Sequence, residues 1–122
     1  MKYVISYLAC PYHHDNPLIK AQRLQTVTKT AAELFTQGIY VYSPLTHNSK
    51  LTELGVGGTW DTWCDFDLEM LSRCDKLIVL TLPGWEQSRG VCAEIAHAKK
   101  LHKPIEFLAC PLYEELSSGI SS

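Results

Sequence analysis

Two carboxylates fall where apolar side chains belong. Placed at 100° per residue, Trp60, Trp63, Cys64, Met70, Leu71 and Cys74 form one helix face, and Asp67 falls in its middle. Asp65 and Glu69 point away. In a later helical segment Val91, Ile95, Ala98 and Leu101 form the apolar arc, and Glu94 lies within it. A carboxylate at a core position is costly unless it is paired or hydrogen-bonded, and such breaches collect at functional or strained sites. Ordinary partners exist for both: a neighbouring turn, Arg23 or Arg73 for Asp67, and a lysine at the helix edge for Glu94. Both acids nevertheless sit on helices flanking one strand. Two carboxylates so placed can divide the roles of nucleophile and proton donor when their surroundings hold their protons differently.

The stretch before Glu94 has chemistry of its own. Residues 83–90 (P-G-W-E-Q-S-R-G) form a turn leading into a helix N-terminus, whose free N–H groups and Ser88 hydroxyl suit a phosphate or a sugar hydroxyl. Ser88 serves equally as a plain N-cap. Gly90 lies one turn before Glu94 and would leave room above the carboxylate. Trp85 either lines the pocket or covers the sheet edge. Neither G-x-G-x-x-G nor a Walker A motif is present, which disfavours ordinary dinucleotide binding and P-loop hydrolysis.

These groups are carried by alternating strands and helices. Residues 4–9, 39–42, 76–82 and 104–108 read as strands. Ala21, Leu24, Thr28, Ala31 and Phe35 recur at helical spacing, with Gly38 placed as a C-cap. Helices are further expected over 60–73, from Ser88 to Leu101, and over 111–116. Residues 43–59 show no periodicity and read as a functional or interface loop. The order predicts a three-layer, flavodoxin- or Rossmann-like α/β domain with a parallel sheet of four to five strands. In such sheets ligands bind past the carboxyl ends of the strands. His13, His14 and His47 are expected on loops at that end, exposed or stacked on a ligand.

Composition narrows the classes. The chain has 122 residues, 46% hydrophobic and 20% charged, with a net charge of -2. One domain over 1–116 with a flexible tail at 117–122 fits that length, and disorder and coiled coil do not fit the composition. The charge argues against nucleic acid or an anionic membrane as partner. No apolar run is long enough to span a bilayer, and the first residues are too soon polar for a signal peptide, so a cytoplasmic protein is expected. Five cysteines without a C-x-x-C pair, and histidines without metal-ligand spacing, predict free thiols, no metal and no cofactor. The Trp- and Gly-rich stretch 55–63 is expected to form a homo-oligomer interface, dimeric or tetrameric.

Three segments together resemble the nucleoside 2-deoxyribosyltransferase-like superfamily, which includes nucleoside-monophosphate N-glycosidases and small uncharacterised bacterial members. S-Y-L-A-C-P at 6–11 is similar to the family's Y-L-A-G-P. Asp67-Leu68, followed by Cys74-Asp75 and an apolar strand, is similar to its D-L block. Ser88-x-Gly90-x-x-x-Glu94, then Ala98 and Lys103-Pro104, resembles its S-x-G-x-x-x-E…A…K-P motif. The match runs in family order from Lys2 to about Leu108. Cys10 replaces the family's glycine, and the loop before Ser88 is longer, carrying Trp85 and Glu86.

The resemblance implies that Glu94 is the nucleophile attacking the anomeric carbon, Tyr7 the residue that positions it, and Asp67 the group assisting proton transfer. It implies substrate-binding roles for Ser88, Gly90, Pro11 and Trp85. Serine at 88, where transferases usually carry aspartate, favours a 5′-phosphate over a 5′-hydroxyl. The implied partner is a nucleoside or nucleotide, and the implied reaction is hydrolysis or transfer of its N-glycosidic bond. A retaining route of this kind needs carboxyls roughly 5 Å apart. The alternative is a nucleotide-sensing module that kept the pocket without catalysis. A receiver-like domain fits poorly, because acids would be needed where this chain has Tyr7, Ala9 and Cys10. So short a chain leaves little for a lid, so part of the site is expected from the 43–59 segment or a second subunit.

Overall fold

Strands of near-continuous apolar sequence must be covered on both faces, and the fold is built to do that. The computed structural model describes residues 3–115. Along them run β1 (Ile5–Ala9), α1 (Pro17–Thr36), β2 (Tyr40–Tyr42), α2 (Pro44–Glu53), α3 (Trp60–Arg73), β3 (Lys76–Leu80), a 3-10 turn (Trp85–Gln87), α4 (Arg89–Lys100) and β4 (Ile105–Leu108). The strands form one parallel sheet in the order β2-β1-β3-β4. This is the expected flavodoxin-like α/β architecture.

Alternation along the strands sorts the core into two halves. Tyr7, Ala9, Leu77 and Val79 face one way and pack with Leu71 and Cys74 at the end of α3 and Val91 and Ala98 of α4. Leu8, Ile78, Leu80 and Leu82 face the other way, against Val27, Ala31 and Leu34 of α1. The register sets Tyr7 between Tyr42 of β2 and Leu77 of β3, in the centre of the sheet. No helix among the described residues is long and apolar enough to cross a membrane.

Local signals account for most boundaries. Asn16 and Ser43 cap α1 and α2, each followed by proline at the first helical position. Gly38, at φ 89°, stops α1 in the left-handed conformation that glycine adopts freely.

Five expectations need correction. Residues 43–59 are not one loop, because α2 occupies most of them; it buries only Pro44 and Asn48 and so shows no apolar stripe. The third strand ends at Leu80 rather than Leu82, where Leu82 N–H turns back to the Leu80 carbonyl at 2.9 Å. Helix α1 buries Ile19, Arg23, Val27 and Thr30, whereas Ala21, Thr28 and Phe35 are exposed. Leu101, placed in the buried arc of α4, is its C-cap and is 40% exposed. Residues 111–115 form a turn and irregular chain instead of the start of a helix. Leu116 and the expected tail, 117–122, lie outside the described residues.

Arg23 explains two of these departures. It is 5% exposed and spends its guanidinium on three segments. Nε donates to Glu115 Oε2 at 2.7 Å, Nη1 to the His13 carbonyl at 3.1 Å and Nη2 to the Pro83 carbonyl at 3.0 Å. The Tyr113 hydroxyl donates to the same Glu115 oxygen at 2.8 Å. The 111–115 stretch is therefore held by tertiary contacts, and the loops after β1 and β3 are fastened together. Replacing Arg23 with methionine leaves two carbonyls without their donor and the Glu115 carboxylate with Tyr113 in place of a cation. Urea denaturation of Arg23→Met is expected to show a loss of about 3 kcal/mol.

Candidate active site

Four elements bring polar side chains to a cleft of about 280 Å³ at the carboxyl ends of the strands. Helix α4 begins at Ser88, whose side chain accepts from Val91 N–H at 3.2 Å, and its second turn carries Glu94. Glu94 is 5% exposed and accepts a hydrogen bond from the Tyr7 hydroxyl, delivered from the fully buried centre of β1. Asp67 is 6% exposed in the middle of α3, and its Oδ1 accepts from Asn48 Nδ2 at 2.9 Å. Both acids line the cleft. Neither is paired with Arg23 or Arg73, which bond Glu115 and Glu69 instead.

Burial dominates the electrostatics. It pushes Glu94 up to about 8, with Asp67 adding to the rise and the Tyr7 hydrogen bond opposing it. Asp67 is also raised by burial, against the hydrogen bond from Asn48 and the charge of His47. Tyr7 is held far above the ordinary phenol range by burial and by Glu94, so it remains a donor. Burial therefore favours the protonated form of Glu94 at neutral pH, while Asp67 has a donor in Asn48 that favours its carboxylate against the same burial.

The structure brings together Glu94, Tyr7, Asp67, Ser88 and Gly90. It places two other expected residues elsewhere. Pro11 is fully buried and does not line the cleft. Trp85 covers the sheet edge, its ring 5.3 Å from that of Phe107. The room expected above Gly90 is taken by an indole, since a Cβ there would meet Trp60 Cε3 at 3.2 Å. Of the three histidines, His13 lines the cleft, His14 Nδ1 accepts from Asn16 N–H, and His47 lies on α2 against Phe66. Cys10 also lines the cleft, its thiol pushed up by burial.

Asn48, Trp60, Trp63 and Lys20 line the cleft without having been singled out as site residues. Both tryptophans were visible on the apolar face of α3. Asn48 carried no signal, because a lone asparagine in a polar stretch looks like surface. All five cysteines are free, and no group of three or more His, Cys, Asp or Glu among the described residues could hold a metal.

A family model described as "Domain of unknown function (DUF1937)" matches residues 4–110. No curated protein matches the chain. Among solved structures, a 2-deoxyribosyltransferase from the psychrotolerant bacterium Bacillus psychrosaccharolyticus, characterised as a biocatalyst for nucleoside synthesis, is similar in fold. It has a TM-score of 0.64 at 22% identity, covering 98% of this chain and 87% of that one.

The raised Glu94 has a consequence for stability. Its ordinary value is 4.5, so between pH 4.5 and 8 the folded chain binds a proton that the unfolded chain has released. Stability attributable to this residue therefore falls as pH rises through that window. Glu94→Gln, which carries no charge to bury, is expected to match wild type near pH 4.5 and exceed it by a few kcal/mol near pH 8.5. Thermal melts across this range check the widening gap.

Proposed function

The chain belongs to the family described as a domain of unknown function (DUF1937), and from the cleft on its fold we propose that it cleaves or transfers the N-glycosidic bond of a (deoxy)nucleoside or nucleoside 5′-monophosphate. The observation that carries this reading is the buried Glu94–Tyr7 hydrogen bond with Asp67 lining the same cleft. In its ionised form Glu94 attacks the anomeric carbon. The C1′–O bond forms as the C1′–N bond breaks, and the electron pair leaves with the base. Asp67, in its protonated form, gives the leaving base its proton. Water or a second base then attacks C1′ and gives up a proton to the Asp67 carboxylate, as the C1′–O bond breaks and its electron pair returns to Glu94.

The chain's other residues support the same substrate. Ser88 at the start of α4 and Lys20 both line the cleft and suit the 5′ end of a nucleotide. The indoles of Trp60 and Trp63 offer flat apolar surface to a base. The similar fold of a 2-deoxyribosyltransferase supports nucleoside chemistry. The proposal includes a cytoplasmic homo-oligomer joined near residues 55–63, where Val56 is 42% exposed beside the highly exposed Leu54. Light scattering is expected to give a dimer or tetramer mass, and a monomer alone would reject that part.

The test is release of free base from a panel of nucleosides and 5′-monophosphates, followed by chromatography. Wild type is expected to release base, and Glu94→Ala to fall below about one thousandth of its rate. Equal release by both proteins would sink the nucleophile assignment. Saturable binding without release would replace the enzyme with a nucleotide-binding module.

Tyr7→Phe separates positioning from nucleophilic attack. The phenol favours the charged form of Glu94, so its loss raises the proton affinity of that carboxylate. The rising limb of kcat/KM against pH, expected near pH 8 in wild type, should move to higher pH in the variant.

A further inference from the structure

Asp67 is fastened from α2 by a two-residue chain of hydrogen bonds. Asn48 Nδ2 donates to Asp67 Oδ1 at 2.9 Å, and Asn48 Oδ1 lies 2.8 Å from His47 Nδ1. An amide oxygen only accepts, so His47 Nδ1 must carry a proton in this arrangement. The imidazole is itself held in place. It stacks on Phe66, the neighbour of Asp67 on α3, at 5.8 Å, and lies 6.0 Å from the Tyr42 ring. Asn48 is buried, whereas His47 is exposed on the same helix.

The amide has two orientations with different consequences. With Nδ2 toward Asp67 it donates to Oδ1, a bond that a carboxylate accepts more strongly than a neutral acid does. Reversed, it would set Oδ1 against Asp67, a contact that only a protonated Asp67 could make favourable. It would also set Nδ2 against His47, which would then need a bare Nδ1 to accept. A donating His47 Nδ1 and a preference of Asp67 for its charged form are thus coupled through one buried amide.

We propose that His47 and Asn48 are a positioning pair that holds Asp67 as an oriented carboxylate at the wall of the cleft. For its catalytic meaning this rests on the glycosyl-transfer reading: an oriented, ionised Asp67 is ready to receive the proton that it later gives to the leaving base. His47 and Asn48 do not touch the reacting atoms in this scheme. They act through Asp67.

Other groups also bear on Asp67. Tyr7 from β1, Tyr42 from β2 and Glu94 from α4 each interact electrostatically with it. The Tyr42 hydroxyl is buried without a hydrogen-bond partner. None of the three donates a hydrogen bond to Asp67 in this structure: the Tyr7 hydroxyl donates to Glu94, and Asn48 donates to Asp67. Removing Asn48 should therefore act on Asp67 directly, with Tyr7 still bound to Glu94.

The experiment is a carbon-13 titration of the Asp67 carboxyl by NMR in wild type, Asn48→Leu and His47→Phe. The phenylalanine keeps a ring on Phe66 and removes Nδ1. Asn48→Leu is expected to raise the Asp67 midpoint by roughly one unit or more, and His47→Phe by a part of that. Nitrogen-15 shifts of wild-type His47 are expected to show Nδ1 protonated, a measurement that needs no variant to fold. An unmoved Asp67 midpoint in variants with wild-type circular dichroism, or a bare Nδ1 on His47, overturns the proposal. None of these readings requires turnover. If wild type releases no base, the enzymatic reading falls while the titration still decides the positioning pair.

Discussion

A glutamate carboxyl group buried at the centre of the fold, with one phenol as its donor, is the constraint that orders everything around it. Water would solvate a carboxylate far better than the interior does, so burial without full hydrogen bonding is costly. The molecule meets the cost by keeping the proton. That solution works only if Tyr7 cannot move. It cannot: it lies fully buried between Tyr42 and Leu77 in a central strand, under Leu71, Val91 and Ala98. Sheet register, rather than any local loop, sets where the hydroxyl meets Glu94.

The second carboxyl group is treated differently. Asp67 has a donor in Asn48, whose amide oxygen is in turn bonded to His47, both from α2. Two acids in one cleft thus have unlike partners, and unlike partners are what let a pair of carboxyls share two roles. On the proposed reading the reaction needs an ionised Glu94 and a protonated Asp67, the reverse of the distribution that burial and hydrogen bonding favour here, so the proton must pass from one to the other before attack.

How much of this was legible from residues alone follows from the range of each signal. Asp67 and Glu94 were visible because helical periodicity is local and a charged residue breaks it. Ser88 and Gly38 were visible because caps are written in neighbouring residues. Tyr7 stood out only by resemblance, since an aromatic in a buried strand looks like core. Helix α2 left no apolar stripe, because only Pro44 and Leu45 at its start pack inward, while Asn48, Ser49 and Thr52 face the cleft. Its cap, Ser43-Pro44, is written in the sequence, but with no apolar stripe behind it the segment reads as loop. Arg23 turned α1 by about one residue's angle, which no pattern of apolar residues could reveal, because its partners lie at His13, Pro83 and Glu115. Gly90 promised space that Trp60, thirty positions away, already fills.

Helix α2 also supplies a wall of the cleft: Pro44, Leu45, Asn48, Ser49, Thr52 and Glu53 all line it. The cleft volume, about 280 Å³, is close to the lower end of what ligand sites occupy. On the proposed reading, such a cleft suits one nucleoside-sized ligand at a time, and transfer between two bases would be sequential, the first departing before the second enters. The glycosyl group would then wait between the two as a covalent ester of Glu94. On that reading a small cleft favours the covalent route over direct displacement, because direct displacement would require donor and acceptor to fit together.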